Sequence, residues 1–144
     1  MKKLFLLFTF LLFTLPCFLE NSGNGLLAQC DTIASICSKH MLSPYLSDGQ
    51  QYRALLLSDQ NAEFHATFFG GSTYRIAGCS GLKDGNLVFS LFDEQRNLIF
   101  TNKEHQNSPF WDFKISSTLD VILEASLATG TQSGCAVVLI GFKQ

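Results

Sequence analysis

Five cysteines, three histidines and a scatter of carboxylates are the residues of this chain able to do chemistry; Cys17 lies in the apolar N-terminal run and leaves with it, and the spacing of the rest restricts that chemistry closely. Zinc sites need closely spaced ligand pairs such as Cys-x-x-Cys. Here Cys30, Cys37, Cys79 and Cys135 come no nearer than six intervening residues, and no His pair joins them. A thioredoxin-like redox centre fails on the same count. Nucleophilic catalysis requires a base beside a hydroxyl or thiol. His65, with Glu63 and Thr67 in the same phase of an alternating stretch, is the nearest approach among His40, His65 and His105. That pattern is also what the wet face of any half-buried strand presents. Asp93, Glu94, Asp112, Asp120 and Glu124 include no two whose spacing marks an acid and base pair. The glycines at 70, 71, 78, 81 and 85 lack the strand-to-helix pattern of a phosphate-binding loop. Asp84, Gly85 and Asn86 begin like a calcium loop, but Leu87, Val88 and Phe89 follow where further carboxylates are required. The sequence therefore predicts no catalytic residue, no metal and no cofactor.

Binding is a better match for what remains. In Asn107, Ser108, Pro109, Phe110, Trp111, Asp112, Phe113, alternation puts Phe110 with Asp112 on one face of a strand and Trp111 with Phe113 on the other. An aromatic beside polar groups is a common grip for sugar rings or apolar peptide segments. Trp111, Phe110 and Tyr74 are the candidate contacts, with Arg75 as a hydrogen-bond donor and an unknown protein or glycan as ligand.

Where such a site would work follows from the N-terminus. Met1, Lys2 and Lys3 precede an uncharged apolar run from Leu4 to Leu19. That is the chemistry of a secretory leader. A bilayer core of about 30 Å needs roughly twenty apolar residues in a helix, so the run is short for a permanent anchor. Ala28 supplies the small residue expected before a cut, giving a signal peptide over 1–28 and no stable membrane span afterwards. Leu27, Ala28, Gln29, Cys30 is an imperfect match to a lipoprotein signal, because Gln29 is not small. Loss of Lys2, Lys3 and Glu20 leaves eight basic and eleven acidic residues, a net charge near −3. No three basic residues adjoin, so the chain has no electrostatic footprint for nucleic acid. The expected destination is the periplasm or the cell exterior. In such oxidising compartments an even set of cysteines predicts two disulfides, with three possible pairings.

The elements that must carry these residues read as β structure. Asp31 to Met41 forms a short helical segment, with Ile33, Ile36, Cys37, His40 and Met41 at intervals of three and four and Pro44 ending it. If that helix is regular, Cys30 and Cys37 lie about 10 Å apart and must reach Cys79 and Cys135. If it is irregular, Cys30 can close on Cys37 and Cys79 on Cys135. Strands follow at about 51–58, 62–69, 72–79, 86–93, 97–102, 110–116, 119–127 and 135–143. Phe64, Ala66 and Phe68 alternate with Glu63, His65 and Thr67, whereas Val137 to Ile140 is apolar on both faces and predicts a central, doubly covered strand. Asp48 with Gly49, Gly70 with Gly71, Asp84 with Gly85, and Gly130 supply the turns. The expected organisation is a signal peptide over 1–28, a short helical segment over 29–47 and one all-β domain over 48–144. That domain is an antiparallel β-sandwich, jelly-roll-like, of about eight strands.

Through Ser47 to Tyr52, Gly70 to Ile76, Cys79 to Leu82, Pro109 to Lys114 and Ser133 to Phe142, the chain resembles a family of small exported proteins of Gram-negative bacteria with no assigned activity. More distantly it is similar to the jelly-roll accessory domains, of pre-peptidase C-terminal type, found after secreted peptidases. In those a Gly-x-x-Tyr turn opens a strand, as Gly71 to Tyr74 does here. The resemblance implies binding or folding assistance rather than catalysis and supplies no catalytic residues. The expected role is a non-enzymatic binding or envelope-associated module. The alternatives are a small secreted hydrolase or inhibitor, or a purely structural envelope protein.

Overall fold

In the computed structural model, residues 23–144 are described, with side-chain surroundings from residue 29 onward. Most of the expected leader thus lies outside the described residues. Helix α1 spans Gly23–Cys37 and is followed by a 3-10 turn, Ser38–His40. Eight strands come next: β1 Leu46–Leu57, β2 Asn61–Phe68, β3 Thr73–Cys79, β4 Leu87–Asp93, β5 Leu98–Thr101, β6 Phe110–Lys114, β7 Leu119–Leu127 and β8 Ser133–Lys143. A second 3-10 turn, Asn102–His105, joins β5 to β6.

The strands form two four-stranded antiparallel sheets, ordered β1-β8-β3-β6 and β2-β7-β4-β5. This is a jelly-roll sandwich, the class expected from the alternation. Its main core comes from inward residues of both layers: Tyr74 and Ile76 of β3, Phe89 and Leu91 of β4, Val121 and Leu123 of β7, and Val138 and Ile140 of β8. Burying each large apolar side chain contributes about 1.5–3 kcal/mol.

A second, smaller core explains the two-sided apolar run in β8. Val137 and Leu139 point away from the sandwich and meet Ile33 and Ala34 of α1, with Ala77 of β3 beside them. Two disulfides cross this layer, Cys30 to Cys135 and Cys37 to Cys79. The regular-helix alternative for the cysteines is the one the fold adopts, because α1 holds Cys30 and Cys37 too far apart for a local bridge.

Some boundaries differ from the sequence expectation. Helix α1 begins upstream of Asp31, where the spacing placed its start, and Asp31 pairs with Arg53 on β1. The helix gives way at Cys37, short of Met41, and the chain turns through a cis Ser43-Pro44 bond. Strand β1 starts five residues earlier than predicted. Its register on β8 slips between Ser47 and Gln51, a bulge that the Asp48-Gly49 turn signal disguised as a loop. Gly49 occupies the left-handed region there, at φ 84°. In β3, Gly78 is required for a different reason: an added Cβ would lie 2.8 Å from the Phe89 ring.

Candidate functional site

Stacking the sheets in register leaves two open sides, one where β6 faces β5 and one where β1 faces β2. Edge strands, which carry no further strand among the described residues, are where a sandwich can meet a partner.

On the β5/β6 side the sequence builds an aromatic cluster. Asn102 is fully buried, and its amide oxygen accepts from the Phe89 N–H at 2.9 Å while its amide nitrogen donates to the carbonyls of Leu87 and Ser108, each at 3.0 Å. That side chain ties the 102–108 connection to β4. Thr101 accepts from the Lys103 N–H to start the 3-10 turn, and Gln106 closes it in the left-handed region. His105 is thereby laid across two rings. Its centroid is 4.2 Å from that of Trp111 and 5.3 Å from that of Phe100, nearly parallel to the latter. Phe100 also lies 5.1 Å from both Trp111 and Phe113. His105 is exposed, and Phe100 and Trp111 are half-buried. Next to them on β5, Leu98 and Ile99 are 54% and 46% exposed.

Phe110 and Arg75, the neighbouring candidates, sit on the opposite face of the first sheet and hold each other. Arg75 donates from Nε and Nη2 to the two carboxylate oxygens of Asp112, at 2.7 and 2.9 Å, and from Nη1 to the His40 carbonyl at 3.1 Å. Its guanidinium lies 4.2 Å from the Tyr45 ring centre on one side and 4.3 Å from that of Phe110 on the other. The Tyr45 hydroxyl donates to Asp112 at 2.7 Å. Hydrogen bonds from Arg75 hold the Asp112 carboxyl below its usual range. Arg75 is thus engaged within the fold, joining β3, β6 and the segment after α1.

On the same face His40 Nε2 is 3.1 Å from Asp84 Oδ1, and Lys39 reaches the other oxygen at 3.4 Å. Burial alone would raise the Asp84 carboxyl, but these two partners bring it below its usual range. His40, Cys79 and Asp84 place ligand-type atoms within 4.8 Å of one another. Cys79 is in a disulfide, however, and offers no thiolate for a metal.

On the β1/β2 side a groove of about 890 Å³ opens between the sheets and over the rim of β2. Tyr74, the remaining candidate, lines it. Tyr74 is 6% exposed, stacks on Phe68 at 4.3 Å and accepts the Phe69 N–H at its hydroxyl. Tyr52 and Phe142 share its aromatic wall, and Asp48, Glu94 and Asp120 also line the groove. The structure therefore separates the four sequence candidates into three places: Trp111 at one open side, Tyr74 in the groove at the other, and Phe110 with Arg75 on the outer face. Sequence reasoning missed His105, Phe100 and Asn102. The only available signal was a polar run, Asn102 to Ser108, inserted between two apolar edge strands.

The geometry defines a disulfide-clamped jelly-roll sandwich with an apolar, aromatic edge. Among solved structures, the chain is similar to PliG of Aeromonas hydrophila, a periplasmic lysozyme inhibitor of g-type lysozyme, with a TM-score of 0.52 and 9% identity, over 71% of this chain and 90% of that one. At that identity the likeness is one of fold. No family model and no curated protein matches the sequence.

Proposed function

We propose that this protein is an exported, non-enzymatic binding module of the inhibitor type, one that docks on a secreted hydrolase and blocks it. The expected leader over 1–28 and the two disulfides support export to the periplasm. Among the described residues no helix is long and apolar enough to cross a membrane. The fold shared with a lysozyme inhibitor supports a protein partner.

The observation that carries the reading is the β5/β6 edge, where His105, Trp111 and Phe100 continue into exposed Leu98 and Ile99. Binding energy at protein interfaces concentrates in aromatic anchors ringed by apolar contact. A sugar platform needs polar groups around its ring, and the aliphatic flank here suits a protein surface better. Phe110 and Arg75 act by holding β6 in place, and Tyr74 serves the groove. The inhibitor reading replaces the broader envelope-associated module as the preferred one.

The test is to titrate the exported protein into a g-type lysozyme and follow both cell-wall lysis and complex formation. Inhibition that weakens in a His105→Ala variant supports the reading. Full lysis at saturating protein, with no complex, removes it.

A further inference from the structure

The groove on the β1/β2 side lies across the sandwich from the aromatic edge, and its lining is mostly acidic, with His65 as its basic side chain, turned 3.0 Å from Glu63. Asp48, Glu94 and Asp120 line it, and no Lys or Arg is among the lining residues. The bulge in β1 turns Asp48 into the mouth, where its carboxylate accepts the Gln50 N–H at 2.9 Å and the Tyr52 hydroxyl. Desolvation there raises the Asp48 pKa despite both hydrogen bonds. Asp48 is exposed at that mouth and pairs with no cation among the described residues, which leaves its charge open to a partner's. Asp120 accepts from the Thr67 hydroxyl and has no cation either among the described residues. Behind the carboxylates stand the half-buried rings of Tyr52 and Phe142, aromatic groups of the kind that attract a cation, with Tyr74 buried beneath them against Phe68. Among the described residues the flanking strands are edges: β1 pairs with β8 alone, and β2 with β7 alone. Each leaves a row of backbone groups free to receive an extended chain.

We propose that this groove binds an extended, basic segment of a partner polypeptide, seating a Lys or Arg side chain between the Asp48 and Asp120 carboxylates and the aromatic wall of Tyr52 and Phe142. Its volume is within the range of ligand sites, about 300–1,000 Å³, and admits a few residues rather than a folded domain. This is a second binding site, independent of the inhibitor reading and of the β5/β6 edge.

The experiment titrates the chain, expressed with its own leader, with an acetylated hexapeptide of alternating lysine and alanine, followed by calorimetry at two salt concentrations. Parallel titrations use the same peptide with glutamine for lysine, and a chitin tetrasaccharide. Binding of the lysine peptide that weakens with salt, and weakens about two- to fivefold in Asp48→Asn, supports the site, since a contact to an exposed carboxylate is of that size. Glu94→Gln, on an exposed turn, gives a second variant that leaves packing alone and should weaken binding in the same direction. Equal binding of the glutamine peptide, binding of the tetrasaccharide alone, binding unchanged in both variants, or no binding at millimolar peptide would each overturn it.

Discussion

Arg75 and Asp112 face each other across the β3–β6 ladder as a two-pronged pair, with the guanidinium held between the rings of Tyr45 and Phe110. The pair fixes β6, and with it Trp111 on the reverse face of the same strand. Lysine keeps the charge but cannot form the fork or stack flat between two rings. Arg75→Lys should therefore cost about 1–2 kcal/mol of stability in urea denaturation, the partial exposure of Asp112 keeping the figure small. An unchanged midpoint would mean the rings and carboxylate contribute little.

Acid should undo this pair. The folded Asp112 carboxyl lies below the ordinary value of 3.8, through hydrogen bonds from Arg75. A depressed carboxylate adds stability that is present above its unfolded pKa and lost as pH falls through the folded one. Asp48 has the opposite sign, because desolvation raises it above 3.8 and its ionised form opposes folding at neutral pH. Asp48→Asn should thus raise the melting temperature at pH 7, with the gain vanishing well below pH 3.8. Asp112→Asn should lower it at pH 7, with the loss shrinking over the same acid range. Melts from pH 2 to 7 check both.

The two disulfides should differ in weight. Cys30–Cys135 spans 105 residues of sequence and Cys37–Cys79 spans 42. Loop-closure entropy assigns them nearly 5 and about 4 kcal/mol respectively. Replacing Cys30 and Cys135 by serine should therefore destabilise the chain more than replacing Cys37 and Cys79, by about 1 kcal/mol in chemical denaturation.

At the aromatic edge, structure and binding can be separated residue by residue. Trp111 packs against the main core as well as against His105, so Trp111→Ala should reduce both melting temperature and partner affinity. His105 is exposed, and His105→Ala should reduce affinity while moving the melting temperature by little more than the error. Asn102→Ala, which strands the buried Phe89 N–H and two carbonyls, should cost at least about 1–3 kcal/mol. A destabilised His105→Ala would show that ring to be structural.

Much of this fold is written in period-two alternation. Phe64, Ala66 and Phe68 point inward as their spacing requires, and the two-sided run Val137 to Ile140 became the strand covered by α1. Strand pairing across distance was not legible, because no local pattern records that β8 lies between β1 and β3. The cysteines were readable as a set, yet their partners depended on whether the 31–37 stretch was truly helical. The candidate site was less visible still. Trp111 stood out by type, but its stacking on His105 arises from an eight-residue connection whose shape is set by Asn102, a buried polar residue that composition cannot distinguish from a loop asparagine. The groove was invisible, since the Asp48-Gly49 turn signal concealed a bulge inside a strand.

The central claim, that an exported sandwich binds and blocks a hydrolase, is tested most directly by gel filtration of the native protein mixed with g-type lysozyme, with lytic activity read from the same fractions. The account predicts a co-eluting complex in which lysis is suppressed, and suppression that fades in His105→Ala. Separate elution at tens of micromolar of each protein, with lysis undiminished, would contradict it.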